Sequence, residues 1–171
     1  AGAGAGAGGG HRGRDGRHRP PIMGRMSETP PPPDRPAPRP RGDFRCFRAI
    51  ATRWMDNDVY GHVNNVVYYS YFDTAVNRHL IEAGALDLHA GAVIGLVVDT
   101  QCRYFAPLAF PQTIEAGLRV ASLGRSSVRY EVGLFAHGDV TSAAHGHFVH
   151  VYVDRATRRP VDLPVALRQA L

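Results

Sequence analysis

From Asn64 to Ala83 the apolar residues Tyr68, Phe72, Ala75, Val76, Leu80 and Ala83 recur every three or four positions. That spacing is one face of an α-helix about five turns long. Asn64 suits the N-cap, and Gly84 the left-handed position after the last turn. Elsewhere the period is two. "FRCFRAIATRW" upstream of the helix reads as a strand with imperfect alternation. Downstream, "QTIEAGLRVASL" alternates Ile114, Ala116, Leu118 and Val120 with polar or small partners, and "SSVRYEVGLFA" alternates Val128, Tyr130, Val132 and Leu134. "VTSAAHGHFVHVYVD" is a further strand. "AVIGLVVDTQCRYF" is a nearly continuous apolar run, the pattern of a strand buried on both faces. Turn signals at "LGRS" and "HGDV" are short enough for antiparallel hairpins. The order is therefore strand, long helix, four strands. An antiparallel sheet with one long helix to cover its apolar face wraps that helix, an α+β layout.

Composition divides the chain of 171 residues at about residue 43. Residues 1–43 hold 9 of the 13 prolines and 10 of the 19 glycines and almost no large apolar side chain. Such a segment cannot bury enough surface to offset its ordering entropy, so a disordered tail is expected there and a folded domain over 44–171. The tail also carries most of the net charge, +4 of the total +5. All the basic residues are arginine, so the basic balance says little about the folded part. The tail has no aromatic residues to stack on bases, and a specific nucleic-acid partner is not expected. Its formal G-x-G-x-x-G at Gly4, Gly6 and Gly9 lacks the flanking strand and helix of a dinucleotide site. No apolar run is long enough for a membrane span or a secretory signal. Met23 and Met26 are alternative starts. Cys46 and Cys102 fit no metal spacing or disulfide scaffold, which makes a reducing cytoplasm the default.

The chemistry concentrates in "RWMDNDVYGHVNNVVYYSYFDTA", Arg53–Ala75. It places Asp56, Asp58, Gly61, His62, Asn64 and Asn65 between the first strand and the helix. The first N–H groups of a helix lack internal acceptors and sit at the positive end of its dipole. An oxyanion is stabilised there, and an upstream aspartate within reach of the same carbonyl is a nucleophile or general base. Capping and turn formation explain the same residue types, so the pattern by itself leaves both readings open.

The chain resembles the hotdog-fold acyl-CoA thioesterases of the 4-hydroxybenzoyl-CoA thioesterase family. The resemblance runs over 44–171, through the D-x-D-x-x-G-H-V-N-N motif ahead of an aromatic helix, then "CRYFAPL", "LGRSSVRYEV" and "VYVDRATRRPVDLP". It implies a hotdog fold in which a sheet wraps a central helix. Asp58 is implied as the catalytic carboxylate, the Asn65 backbone N–H as the holder of the thioester oxygen, and Gly61 as the residue that lets the backbone approach. His62 is an additional acid–base or loop-holding candidate, and Asp56 a candidate for positioning Arg53 or the loop. The four-residue step from Asp58 to His62 differs from the spacing of hotdog hydratases. Arg125, Ser126, Ser127, Arg158 and Arg159, with Arg103 and Arg155, are candidates for the CoA moiety, since arginine suits phosphate. His145 and His147 share a strand face and His150 takes the other. No resident cofactor is implied, CoA being part of the substrate. An exposed sheet edge and the likeness to paired hotdogs imply a homodimer or tetramer with the acyl site at the junction. A non-catalytic acyl-CoA-binding module and a tail-driven nucleic-acid binder are the alternatives.

Overall fold

The computed structural model describes residues 35–87 and 89–171. The elements are β1 (Cys46–Ala51), α1 (Val67–Glu82), β2 (Val93–Tyr104), β3 (Thr113–Leu123), β4 (Ser127–Ala136), β5 (Ala144–Asp154) and a short α2 (Val165–Ala170). The strands form one antiparallel sheet in the order β1-β3-β4-β5-β2. This is the α+β layout expected from the alternation of periods and the hotdog arrangement that the resemblance implies, and both hairpins, β3–β4 and β4–β5, fall at the turn signals.

Helix α1 lies in the concave face of the sheet. Tyr68, Tyr71, Phe72, Ala75, Val76 and Leu80 are buried against Ile114, Ala116, Leu118, Val128, Tyr130, Val132 and Leu134. Every member of the expected stripe except the exposed Ala83 is in that core. Phe72 is completely enclosed, and its truncation to alanine would cost roughly 3–5 kcal/mol. The helix ends as its sequence predicts. Gly84 takes φ +66°, its N–H reaches Ile81 O and the Ala85 N–H reaches Leu80 O.

The start of α1 differs from expectation. Regular helix begins at Val67, and Asn64 caps a tight turn ahead of it: its Oδ1 accepts the Val66 N–H at 3.1 Å and its carbonyl the Val67 N–H at 2.9 Å. Asn and Asp compete for neighbouring backbone N–H groups in this way, and the helix is delayed by one turn.

Strand β2 corrects a larger expectation. It is not buried on both faces; it is an edge strand paired only with β5, and Leu96, Val97 and Val98 are 38%, 46% and 60% exposed. The helix leans on the middle of the sheet, so the most apolar strand is left at its rim.

The expected tail lies outside the described residues as far as residue 34. Residues 39–43 pack on the sheet. The Arg39 N–H donates to the Ser142 hydroxyl and the Ser142 N–H to the Arg39 carbonyl, both at 2.9 Å, Arg41 forms a two-pronged ion pair with Glu115 at 2.9 Å, and its guanidinium covers the Phe47 ring at 4.0 Å. The domain edge expected at residue 44 therefore falls inside a segment that holds the convex face of the sheet.

The register sorts the molecule into two ends. The last residues of β1, β2 and β4 and the first of β3 and β5 make one end, and the Arg53–Asn65 loop leaves from it. The β3–β4 hairpin, the start of β2 and the turn after β5 make the other.

Candidate active site

After β1 the chain turns through Trp54–Asp56 and folds back, with Asp58 N–H on His62 O and Asn64 N–H on Asp56 O. Asp56 and Asp58, two residues apart, face different surroundings. Asp56 is fully buried, and its carboxylate accepts the Arg53 N–H at 2.7 Å, the Arg53 Nε–H at 3.0 Å and the Tyr71 hydroxyl at 2.7 Å. Burial works against its charge, but Arg53 and Tyr71 outweigh that and hold its pKa below the ordinary carboxylate range. Burial and the hydrogen bond to Asp56 raise the Tyr71 pKa in turn. Asp56 therefore pins the loop to the helix.

Asp58 is half-buried and faces a cleft of about 410 Å³ that it lines with Trp54, Asn57, Val59 and Gly61. One oxygen, Oδ1, accepts the Tyr60 N–H at 2.8 Å, and Oδ2 has no partner among the described residues. One oxygen thus remains entirely open on a carboxylate whose backbone is fixed from both sides.

Gly61 has φ +82°, the left-handed region that penalises an L side chain. A Cβ there would meet no atom within 4 Å. The glycine is required by the turn and leaves open space in front of the loop. His62 is exposed, and it holds the loop through its carbonyl, not its ring. The ring lines a second cleft, about 320 Å³, with Tyr68, Tyr104, Phe105, Ala106 and Pro107.

Asn64 takes up the Val66 and Val67 N–H groups, while the Asn65 N–H has no acceptor among the described residues. The Asn65 carbonyl accepts the Tyr104 hydroxyl at 3.0 Å. Sequence reading gave Tyr104 no role. Its only signal is its place in "CRYFAPL", because its partner lies 39 positions away. Burial, followed by the neighbouring Cys102, raises the Tyr104 pKa and keeps the phenol a donor. Asn57 was missed as well. Its Nδ2 donates to Gly61 O at 3.3 Å and its Oδ1 accepts the Phe110 N–H at 3.0 Å, tying the loop to the β2–β3 connection.

The CoA candidates gather at the other end of the sheet. Arg125 pairs with Asp162 on the surface at 2.7 Å, and its carbonyl accepts the Leu163 N–H. Ser126 O accepts the Tyr152 N–H, and Arg158, at φ +60°, and Arg159 sit in the turn after β5. Ser127 opens β4. The length of β2, roughly 36 Å at about 3.3 Å per residue, separates this cluster from the Asp58 loop of the same chain. Arg103 is nearer the loop end, and Arg155 donates to Gly91 O at 2.7 Å. On the convex face His147 donates Nε2–H to Asp99 at 2.8 Å and accepts Arg129 at 2.8 Å, while His145 stacks on Phe105. Among the described residues no helix is long and apolar enough to cross a membrane.

Comparison with known proteins follows this geometry. Residues 52–171 match the family model of the thioesterase-like superfamily. The PA5185 protein of Pseudomonas aeruginosa strain PAO1, known as a crystal structure, is similar at 58% identity over 79% of this chain and 94% of that one, with a TM-score of 0.78. PA2801, a candidate thioesterase of Pseudomonas aeruginosa, is 32% identical over 72% of this chain and 95% of its own, with a TM-score of 0.68. At 16% identity, over 72% of this chain and 93% of its own, Slr0204, a 1,4-dihydroxy-2-naphthoyl-CoA thioesterase from Synechocystis, shares the fold with a TM-score of 0.66. No curated protein sequence matches the chain.

Proposed function

The chain belongs to the thioesterase-like superfamily, and from that membership we propose that it hydrolyses an acyl-CoA thioester to the free acid and CoA. The observation that carries the mechanism is the pairing, within one braced loop, of a carboxylate oxygen at Asp58 and a backbone N–H at Asn65 that both lack partners among the described residues. The thioester oxygen accepts from Asn65 N–H, at the positive end of α1, where charge develops in the tetrahedral intermediate. Asp58 either attacks the carbonyl carbon or takes a proton from an attacking water. In the first route the C–S bond breaks, CoA leaves as the thiolate, and water then splits the Asp58–acyl anhydride, its oxygen joining the acid and its proton going to the thiolate. In the second, the water oxygen bonds to the carbonyl carbon as Asp58 takes its proton, and the C–S bond then breaks to release CoA, which takes up that proton as the thiol. Tyr104 holds Asn65 in place through its carbonyl, and Gly61 leaves room for the acyl carbon.

A homodimer built on β2 completes this reading. An exposed apolar edge strand is a template for a second copy. Antiparallel pairing of two β2 strands about the midpoint between Val98 and Asp99 sets Val93 opposite Tyr104 of the partner subunit. Opposite sheet ends then meet, and the Arg125, Arg158 and Arg159 end of one subunit comes beside the Asp58 loop of the other. The phosphates of CoA and the thioester would thus be held by different subunits.

A thiol-release assay over aliphatic and aromatic acyl-CoAs tests the reading, with Asp58→Asn as control. Turnover by the wild type that the variant lacks is the expected result. Wild type and variant equally silent on every thioester would leave a binding module instead of an enzyme.

A further inference from the structure

On the convex face, away from α1, the segment before β1 meets β2, β4 and β5 around a cleft of about 210 Å³. Each of the four supplies a cation or a polar ring: Arg39, Arg103, Arg129 and His145. Glu131 is the one carboxylate in the lining, against three guanidiniums, and it is already shared. Arg39 stands 3.2 Å from it, and Arg119, across on β3, donates to it at 2.7 Å. Arg129 gives one N–H to the His147 Nδ1 lone pair at 2.8 Å, and its ion-pair partner Asp99 is 3.9 Å away and held by His147. Arg103 is exposed, and its guanidinium makes no hydrogen bond or ion pair among the described residues. The pairing of β2 with β5 sets it directly beside His145. There Nδ1 has Ser142 Oγ at 3.5 Å, while Nε2 has no partner and is not sealed from solvent. Burial, followed by the charges of Arg39 and Arg103, lowers the His145 pKa, and Glu131 and Asp43 only partly offset them. The cleft therefore holds more donors than acceptors and more positive charge than negative.

We propose that this cleft binds a phosphate dianion, free or as the monoester of a small molecule, on Arg103, Arg129 and His145, with Arg39 adding positive potential from the segment before β1. A guanidinium pairs with two phosphate oxygens at once, and a tetrahedral dianion has oxygens enough for donors arriving from three strands. A carboxylate has two oxygens and half the charge. Arg103 and Tyr104 are neighbours on β2 and take opposite faces of the sheet, so Tyr104 serves Asn65 on the helix side while Arg103 serves the anion. Arg103, expected among the groups for CoA, is thereby given to a different phosphate. Binding there requires no thioester hydrolysis.

The test is isothermal titration of the full chain with inorganic phosphate and with AMP, at fixed ionic strength. The parent form carries Arg158→Ala and Arg159→Ala, which removes the arginines at the other end of the sheet. It should bind at least one probe saturably, at one site per chain, with a Kd of about 1 mM or below. Arg103→Gln and Arg129→Gln, each added to the parent, should weaken that binding about tenfold, the loss of one hydrogen bond to a charged group. The tail arginines are common to every form, so their contribution cancels. Arg103 has no partner in the fold to lose, so Arg103→Gln should melt with the parent and its weaker binding is not lost structure. Tighter binding of AMP supports the site with a phosphate monoester as its ligand, and equal or tighter binding of phosphate supports it with the free ion. No saturable binding of either probe, or binding that either glutamine variant leaves at parental strength, overturns it.

Discussion

The Tyr104 hydroxyl, at the last residue of β2, donates a 3.0 Å hydrogen bond to the carbonyl of Asn65, in the turn that opens α1. Asn65 thus has its carbonyl fixed from the sheet while its N–H finds no acceptor among the described residues. Tyr104→Phe should lower kcat by about 10-fold with a smaller effect on KM, the range for a lost positioning hydrogen bond. Thermal unfolding should barely change, since the ring contact with Tyr68 at 4.9 Å survives. Steady-state kinetics beside a melting curve separates the two effects, and an unchanged kcat would remove Tyr104 from the mechanism.

Asp56 and Asp58 should part company on mutation. Asp58→Asn should abolish turnover with little loss of stability, because only the Tyr60 N–H depends on its side chain. Asp56→Asn should destabilise by about 2–3 kcal/mol, below the range for an enclosed ion pair because Arg53 is largely exposed. Equilibrium denaturation of both variants checks this.

Acid should find the same difference. The folded pKa of Asp56 lies below its unfolded value of about 3.9. Its contribution is therefore present above that value and lost as the pH falls through the folded pKa. The acid limb of the stability profile, followed from about pH 6 downward, should be shallower in Asp56→Asn than in wild type. Parallel limbs would mean that Asp56 carries no linked proton.

At Gly61 the left-handed φ orders the substitutions. Asparagine tolerates that region better than alanine, and a β-branched residue tolerates it worst. Gly61→Asn, Gly61→Ala and Gly61→Val should lose stability in that order, alanine by about 1–2 kcal/mol. Melting temperatures that ignore the order would show that the loop does not need its turn.

A charge in the middle of β2 should separate the proposed subunits. Val98→Glu changes a residue that is 60% exposed and has no β5 partner, and it sets each new carboxylate opposite Asp99 of the partner subunit, a like-charge pair across the seam. Sedimentation should show a folded monomer without thioesterase activity. A dimer with full turnover would place the interface elsewhere.

Much of this arrangement is legible along the chain, and the exceptions share a cause. The α1 stripe, the Gly84 ending and the two hairpins depend on residues a few positions apart, where local physics decides. Asn64 was misjudged as the helix cap because its side chain serves the preceding turn, a choice between two backbone donors that composition cannot settle. Strand β2 reads as doubly buried because apolar runs usually are; only the strand order makes it an edge. Asp56 and Asp58 look alike in sequence, and the difference between them is supplied by Tyr71, on the second turn of a helix that must first pack. Tyr104, Asn57 and the far placement of Arg125 and Arg158 are matters of topology throughout.

The two ends of β2 have a genetic consequence. Each working centre of the proposed dimer takes its carboxylate from one copy and its phosphate-binding arginines from the other, so two different loss-of-function alleles should rescue each other. One copy carrying Asp58→Asn and one carrying Arg158→Ala with Arg159→Ala would each be impaired alone. In a cell expressing both, the mixed assemblies retain one intact centre apiece, and activity returns without recombination.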